Sequence, residues 1–166
     1  MDADWAGSWS EASSHDPLST HSITGFIITY AGSPILWKSK MQSLIALSTT
    51  EAEYIALSTA LREVIAIINL LEDLSNKGLP IHKGTPKIRC TTFEDNMSCI
   101  KLATNHKTRP RTKHLSIRLH HFRSHIIRKI ISIEYINTKQ QIVDILTKPL
   151  PSEAIFGPLY KTDVRS

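Results

Sequence analysis

Apolar residues in this chain change period along its length, and each change marks a new element. Ser8 to Ser22 is rich in Ser, Thr, Asp and Pro with no apolar period, so it reads as a loop after a very short opening strand. Ile23 to Tyr30 and Pro34 to Trp37 are apolar and β-branched, and the intervening Ala-Gly-Ser predicts a hairpin. Ser48-Thr49-Thr50-Glu51 has the form of a capping box, in which the Ser and Glu side chains each satisfy a helix-end N–H. Ala52, Ile55, Ala56, Ala60, Val64, Ile67, Leu71 and Leu74 then recur at helical spacing, until Gly78-Leu79-Pro80 stops the helix.

Lys87 to Phe93 reads as a strand and Asn96 to Thr104 as a short helix. Leu115, Leu119, Phe122 and Ile126 share one face of a further, amphipathic helix. Ile130 to Ile136 is another apolar strand. Thr138-Lys139-Gln140-Gln141 predicts a second capping box, opening a helix that must end before Pro149. Three consecutive strands followed by alternating helices and strands predict an α/β fold, a mixed sheet covered by helices. With 166 residues, of which 41% are hydrophobic, the chain is read as one domain over 1–150 and a pattern-poor tail over 151–166.

Composition narrows the setting. No run approaches the roughly 18 consecutive apolar residues of a membrane span, and the opening Asp2 and Asp4 do not have the order of a signal peptide. The expectation is an intracellular protein, neither secreted nor membrane-bound. Cys90 and Cys99 are too few for a disulfide framework and read as reduced core thiols.

Charge adds a partner. Between Asn105 and Lys129 stand eight basic residues, five of the eight histidines and no acid. A solvated face is one account of such a run. A polyanion is the better fit, because each neutralised phosphate releases counterions and adds affinity.

Four acids lie where element ends can converge: Asp2 in the first strand, Glu53 near the start of the long helix, Asp95 past a strand and Asp144 in the last helix. Singly, each is accounted for as a favourable partner of a helix amino end. Together they offer what magnesium requires, several hard oxygen ligands from separate elements. Asp4 shares a strand face with Asp2 and is an alternative ligand. Asn96, Ser48 and Thr49 adjoin these acids and either cap helices or reach sugar groups.

A resemblance makes the chemistry specific. Asp2-Ala3-Asp4-Trp5-Ala6-Gly7, Leu36-Trp37-Lys38-Ser39-Lys40, Ala46-Leu47-Ser48-Thr49-Thr50-Glu51-Ala52-Glu53-Tyr54, Glu94-Asp95-Asn96, Arg111-Thr112-Lys113-His114 and Asp144-Ile145-Leu146-Thr147-Lys148-Pro149-Leu150 occur in that order. Together they resemble the ribonuclease H domain of copia-type LTR retrotransposon Pol polyproteins. That resemblance implies a ribonuclease H-like fold, a five-stranded mixed sheet flanked by helices. It also implies catalytic, metal-holding roles for Asp2, Glu53, Asp95 and Asp144.

Two Mg2+ ions, or Mn2+ in their place, would balance four negative charges and clamp a scissile phosphate from both sides. The implied reaction is hydrolysis of the RNA strand of an RNA–DNA hybrid beside an adjoining reverse transcriptase domain, in cytoplasmic virus-like particles. Asn96, Arg111, Lys113 and His114 are the substrate-binding candidates. His114 is also a candidate general acid or base, since its ordinary pKa lies near neutrality.

The resemblance departs from the family in three places, one of them Ser116, where the family often has an acidic residue after the Lys-His pair. The first strand begins one residue before Asp2, whereas the family's central strand extends further upstream, so the isolated chain is expected to be less stable than its relatives. Asn137 to Gln141 contains no histidine, where many ribonucleases H have one. Two other readings stay open: a catalytically inactive remnant that binds nucleic acid through the basic segment, and a related DNA-processing nuclease. The order Asp, Glu, Asp, Asp argues against the integrase arrangement.

Overall fold

The computed structural model of the chain describes residues 1–7, 10, 15–81, 88–105 and 121–148. Its elements are β1 (Asp2–Asp4), β2 (Ile23–Tyr30), β3 (Ser33–Met41), α1 (Thr49–Asn76), β4 (Cys90–Glu94), α2 (Met97–Thr104), the helical residues 121–127 as α3, and β5 (Ile131–Tyr135). Short 3-10 turns stand at Pro17–Thr20, Thr138–Gln140 and Ile142–Leu146. The class is mixed α/β.

β1, β2 and β3 form an antiparallel sheet in that order. Ala31 (φ 50°) and Gly32 (φ 80°) both adopt the left-handed conformation that a tight hairpin turn needs, which joins β2 to β3 without splaying them. β3 runs on to Met41, well past the Trp37 at which its apolar run ends, because Ser39, Lys40 and Met41 still find partners on β2.

α1 carries most of the core. The Ser48 hydroxyl accepts from the Glu51 N–H at 3.2 Å. The reciprocal bond of the predicted box is displaced by one residue, the Glu51 carboxylate accepting instead from the Leu47 N–H at 3.1 Å. At the other end Gly78 (φ +87°) turns the chain back, so that Leu79 N–H bonds the Leu74 carbonyl and Gly78 N–H bonds that of Ser75. Tyr54, Leu57 and Leu61 are fully buried, each of the two leucines worth about 1.5 to 3 kcal/mol of hydrophobic stabilisation. The most apolar 18-residue window of α1 has a mean hydropathy of 1.6, a value a membrane span also reaches, but half of it is buried inside this protein.

β4 and β5 pair in parallel as a second, two-stranded sheet. The expected single five-stranded sheet is therefore corrected to two smaller ones. β1 has three residues, all paired to β2. Toward β4 there is a bond from the Met1 amino group to the Phe93 carbonyl at 3.1 Å, where a ladder needs a succession of them. Beyond that bond a cavity of about 400 Å³, lined by Phe26, Ile28, Val64, Cys90, Thr92 and Val143 among others, separates β2 from β4.

The expected last helix is also corrected. Residues 138–146 form two 3-10 turns interrupted at Gln141, whose backbone is extended (φ −76°, ψ 91°). The reason is tertiary: the buried Gln141 amide donates to the Met1 carbonyl at 2.9 Å, which holds that residue out of a helical run. The predicted capping box does not form, and Asn137 caps the first turn instead, accepting from Lys139 N–H at 3.0 Å.

Of the amphipathic helix, Phe122 is fully buried and Ile126 partly so, whereas Leu115 and Leu119 lie outside the described residues. Both cysteines are free, Cys99 buried and Cys90 half-buried.

Gly25 joins the sheet to the final turn. A Cβ there would stand 2.6 Å from the Thr147 methyl and 3.1 Å from a Val143 methyl. Gly25→Ala should therefore overpack this contact and destabilise the chain by about 1 to 3 kcal/mol, read as a lower urea midpoint at unchanged slope. An unchanged midpoint would show that the final turn is not packed on β2.

Candidate metal centre

Three acids reach one point from three elements. Asp2 lies in β1, its backbone paired opposite Gly25. Glu53 stands one turn into α1, whose start is fixed by the Ser48 cap and by the buried Gln42 amide, which donates to the Thr24 hydroxyl at 3.0 Å and the Ala52 carbonyl at 2.9 Å. Asp95 follows β4, where Asn96 begins to cap α2. One carboxylate oxygen from each of Asp2, Glu53 and Asp95 lies within 4.8 Å of the others. They line an open cleft of about 410 Å³ together with Asp4, Trp5, Thr49, Asn96 and Lys148.

Asp144 approaches differently. It sits in the Ile142–Leu146 turn, not in an α-helix, and is not one of the three clustered acids. Its link to them is Lys148, whose ammonium lies 3.1 Å from Asp144 Oδ1 and 3.5 Å from Asp2 Oδ2. The Thr147 hydroxyl donates to the same Asp2 oxygen. The space left by Gly25 is what lets Thr147 come this close.

Burial sets the electrostatics. Glu53 is 4% exposed, and its Oε2 has no hydrogen-bond partner among the described residues. Desolvation, then the charges of Glu94, Asp2 and Asp95, push its pKa up to about 10. Lys148 remains protonated: burial disfavours its charge, but Asp2 and Asp144 outweigh that and raise its pKa. Asp144 is raised chiefly by desolvation, against the hydrogen bond from Lys148. Asp4 is raised by desolvation too; it lines the cleft but is not among the three clustered acids.

Glu94 is the residue that sequence reading missed. It is fully buried, Oε1 accepts from the Asn96 N–H at 3.0 Å and Oε2 has no hydrogen-bond partner among the described residues. Burial lifts its pKa to about 8, the Asn96 bond and the Met1 ammonium pulling the other way. Its signal was strand alternation: with the strand ending at Glu94 instead of Phe93, Glu94 faces inward and Phe93 outward.

Among the substrate-binding candidates, Asn96 lines the cleft, with Oδ1 committed to the N–H groups of Ser98 and Cys99. Arg111, Lys113 and His114 lie outside the described residues. Ser48 serves as the α1 cap, and Thr49 lines the cleft.

The donor set fits a hard divalent cation. All three clustered donors are carboxylates, they come from separate elements, and among the described residues the desolvated Glu53 Oε2 has no hydrogen-bond partner. A bound cation would relieve the repulsion that protonation relieves in its absence.

A mixed α/β chain with a carboxylate cluster able to hold a cation is the class that fold and site define. The relatives of the chain are retrotransposon Pol polyproteins. It is 35% identical over 150 residues, 90% of the chain, to the "Retrovirus-related Pol polyprotein from transposon TNT 1-94" of Nicotiana tabacum. It is 33% identical over 153 residues, 92% of the chain, to that of transposon RE1 of Arabidopsis thaliana. To the "Transposon Ty1-DR1 Gag-Pol polyprotein" of Saccharomyces cerevisiae it is 35% identical over 130 residues, 76% of the chain. The chain spans only 10%, 9% and 7% of the length of these three. No protein-family model matches the chain, and no solved structure does.

The raised carboxyls determine how stability depends on pH. The unfolded chain releases both protons near 4.5, whereas the folded, metal-free chain holds them to about 8 on Glu94 and about 10 on Glu53. Above 4.5 the folded state therefore binds more protons than the unfolded one, and these two groups make stability fall as pH rises. In EDTA, the melting temperature should drop from pH 5 to pH 8, and Glu53→Gln should flatten that drop. A parent whose Glu53→Gln variant falls equally steeply would refute the assignment.

Proposed function

We propose that this chain is a metal-dependent endonuclease that hydrolyses the RNA strand of RNA–DNA hybrids during retrotransposon reverse transcription. The observation that carries the reading is the convergence of Asp2, Glu53 and Asp95 within 4.8 Å at an open cleft. The similarity to Pol polyproteins supports a setting among other domains of a retrotransposon polyprotein; an adjoining reverse transcriptase and cytoplasmic virus-like particles are part of the proposal itself. The resemblance of the motifs between Asp2 and Leu150 to the ribonuclease H region is what favours this activity.

Asp2, Glu53 and Asp95 would hold Mg2+, or Mn2+ in its place, and Asp144 would serve a second ion. Bound there, the ions supply charge neutralisation of the scissile phosphate and stabilise the attacking and departing oxygens. The protein's own part is positioning. The Thr147 hydroxyl orients Asp2 and leaves its other oxygen for the cleft. Asn96, with Oδ1 spent on the α2 cap, has its amide N–H groups left to donate to a sugar hydroxyl, including the 2′-OH that distinguishes RNA from DNA. Arg111, Lys113 and His114 belong to the acid-free basic segment and would bind backbone phosphates.

The test is cleavage of labelled RNA–DNA hybrid, duplex DNA and duplex RNA, each with Mg2+ or with EDTA. Cleavage of the hybrid alone, and with Mg2+ only, is the expected outcome, and Asp95→Asn should slow it by at least about 100-fold. Binding of the hybrid without cleavage would replace the enzyme by a nucleic-acid-binding remnant. An Asp95→Asn variant as fast as the parent would remove the site assignment.

A further inference from the structure

The cleft is served by two unlike cation positions, and one of them is already filled by the protein. One carboxylate oxygen from each of Asp2, Glu53 and Asp95 lies within 4.8 Å of the others, and among the described residues the buried Glu53 Oε2 has no hydrogen-bond partner. Asp2 and Asp144 instead share the ammonium of Lys148, at 3.5 and 3.1 Å. Asp2 belongs to both groups, so a divalent ion shared by Asp2 and Asp144 would need the space and the negative charge that Lys148 now holds.

The lysine is well placed for this. Its backbone N–H bonds the Asp144 carbonyl at 2.9 Å, which fixes the turn from which the side chain reaches back. Thr147, the preceding residue, is tied to Asp2. The ammonium is therefore aimed by two contacts on its own turn. Its side chain is 35% exposed, which leaves a path outward if a stronger anion draws it away.

We propose that Lys148 is a built-in counter-cation that holds the second metal position, so that the free protein takes a single divalent ion, on Asp2, Glu53 and Asp95. This rests on the metal-centre reading above and deepens it: a second ion enters between Asp2 and Asp144 only when Lys148 is displaced. Two like charges cannot share the pair of carboxylates at these distances without strong repulsion. Lys148 is thus a positioning residue whose role is to set metal stoichiometry.

Counting bound Mn2+ by electron paramagnetic resonance in the absence of nucleic acid tests this without recourse to activity. The parent should bind one Mn2+ per chain and Lys148→Gln two, whereas Lys148→Arg, which keeps the charge, should stay at one. Circular dichroism establishes that each variant is folded before ions are counted. Two ions on the parent, one on Lys148→Gln, or two on Lys148→Arg would each overturn the inference while leaving the metal centre standing. No ion on the parent and none on Lys148→Gln would overturn the metal centre itself, and the inference with it.

Discussion

Carboxylates crowded together out of water are the constraint on which this structure turns. Asp2, Glu53 and Glu94 are buried and Asp95 is half-buried, and burial, together with the neighbouring carboxylate charges, raises the pKa values of Glu53 and Glu94. Removing an ion from water costs several kcal/mol even after the surroundings relax, so such a group persists only if something offsets its charge. The surroundings supply several partial answers: protons on Glu53 and Glu94, the Asn96 N–H on Glu94, the Thr147 hydroxyl and Lys148 on Asp2. Among the described residues, no hydrogen-bond partner reaches Glu53 Oε2. A bound cation there would offset the charge that protons on Glu53 and Glu94 offset in its absence.

The scaffold holds these acids in position by spending stability elsewhere. α1 buries a continuous apolar stripe from Ala52 to Ile68, and that same stripe presses the turn bearing Glu53 against the sheet. Gln42 ties the sheet to the start of α1, and Trp5 Nε1 donates to the Ala46 carbonyl at 3.0 Å, so β1 and the loop before α1 are held together. Gly25, opposite Asp2 in the register, admits the final turn. Hydrophobic burial thus fixes the backbone, and a few directed hydrogen bonds fix the acids.

How legible this was depended on how local the causes were. Ser48, Gly78 and the Ala31-Gly32 turn act through neighbours a few residues away, and the elements they bound were readable from the chain. The turn at 138–146 was not, because Gln141 is held by the carbonyl of Met1, a contact across 140 positions that overrides a local capping signal. The division into two sheets has the same character, since pairing of β1 with β4 depends on how many rungs meet in space. Asp2, Glu53 and Asp95 were recognisable from their motifs, and the structure brings them together. Glu94 passed unnoticed because one residue of strand register decides whether it faces solvent or core.

What the sequence by itself determined was therefore the set of elements set by caps, turns and periodicity, and the residue types able to hold a hard cation. The tertiary structure alone decided the rest: that three acids meet within 4.8 Å, that Glu94 is buried behind them, and that Asp144 reaches the group through Lys148. The reason is range. Capping and periodicity act over a few residues, whereas the strength and sign of a charge interaction depend on distances and on water exclusion that exist only once the chain has folded.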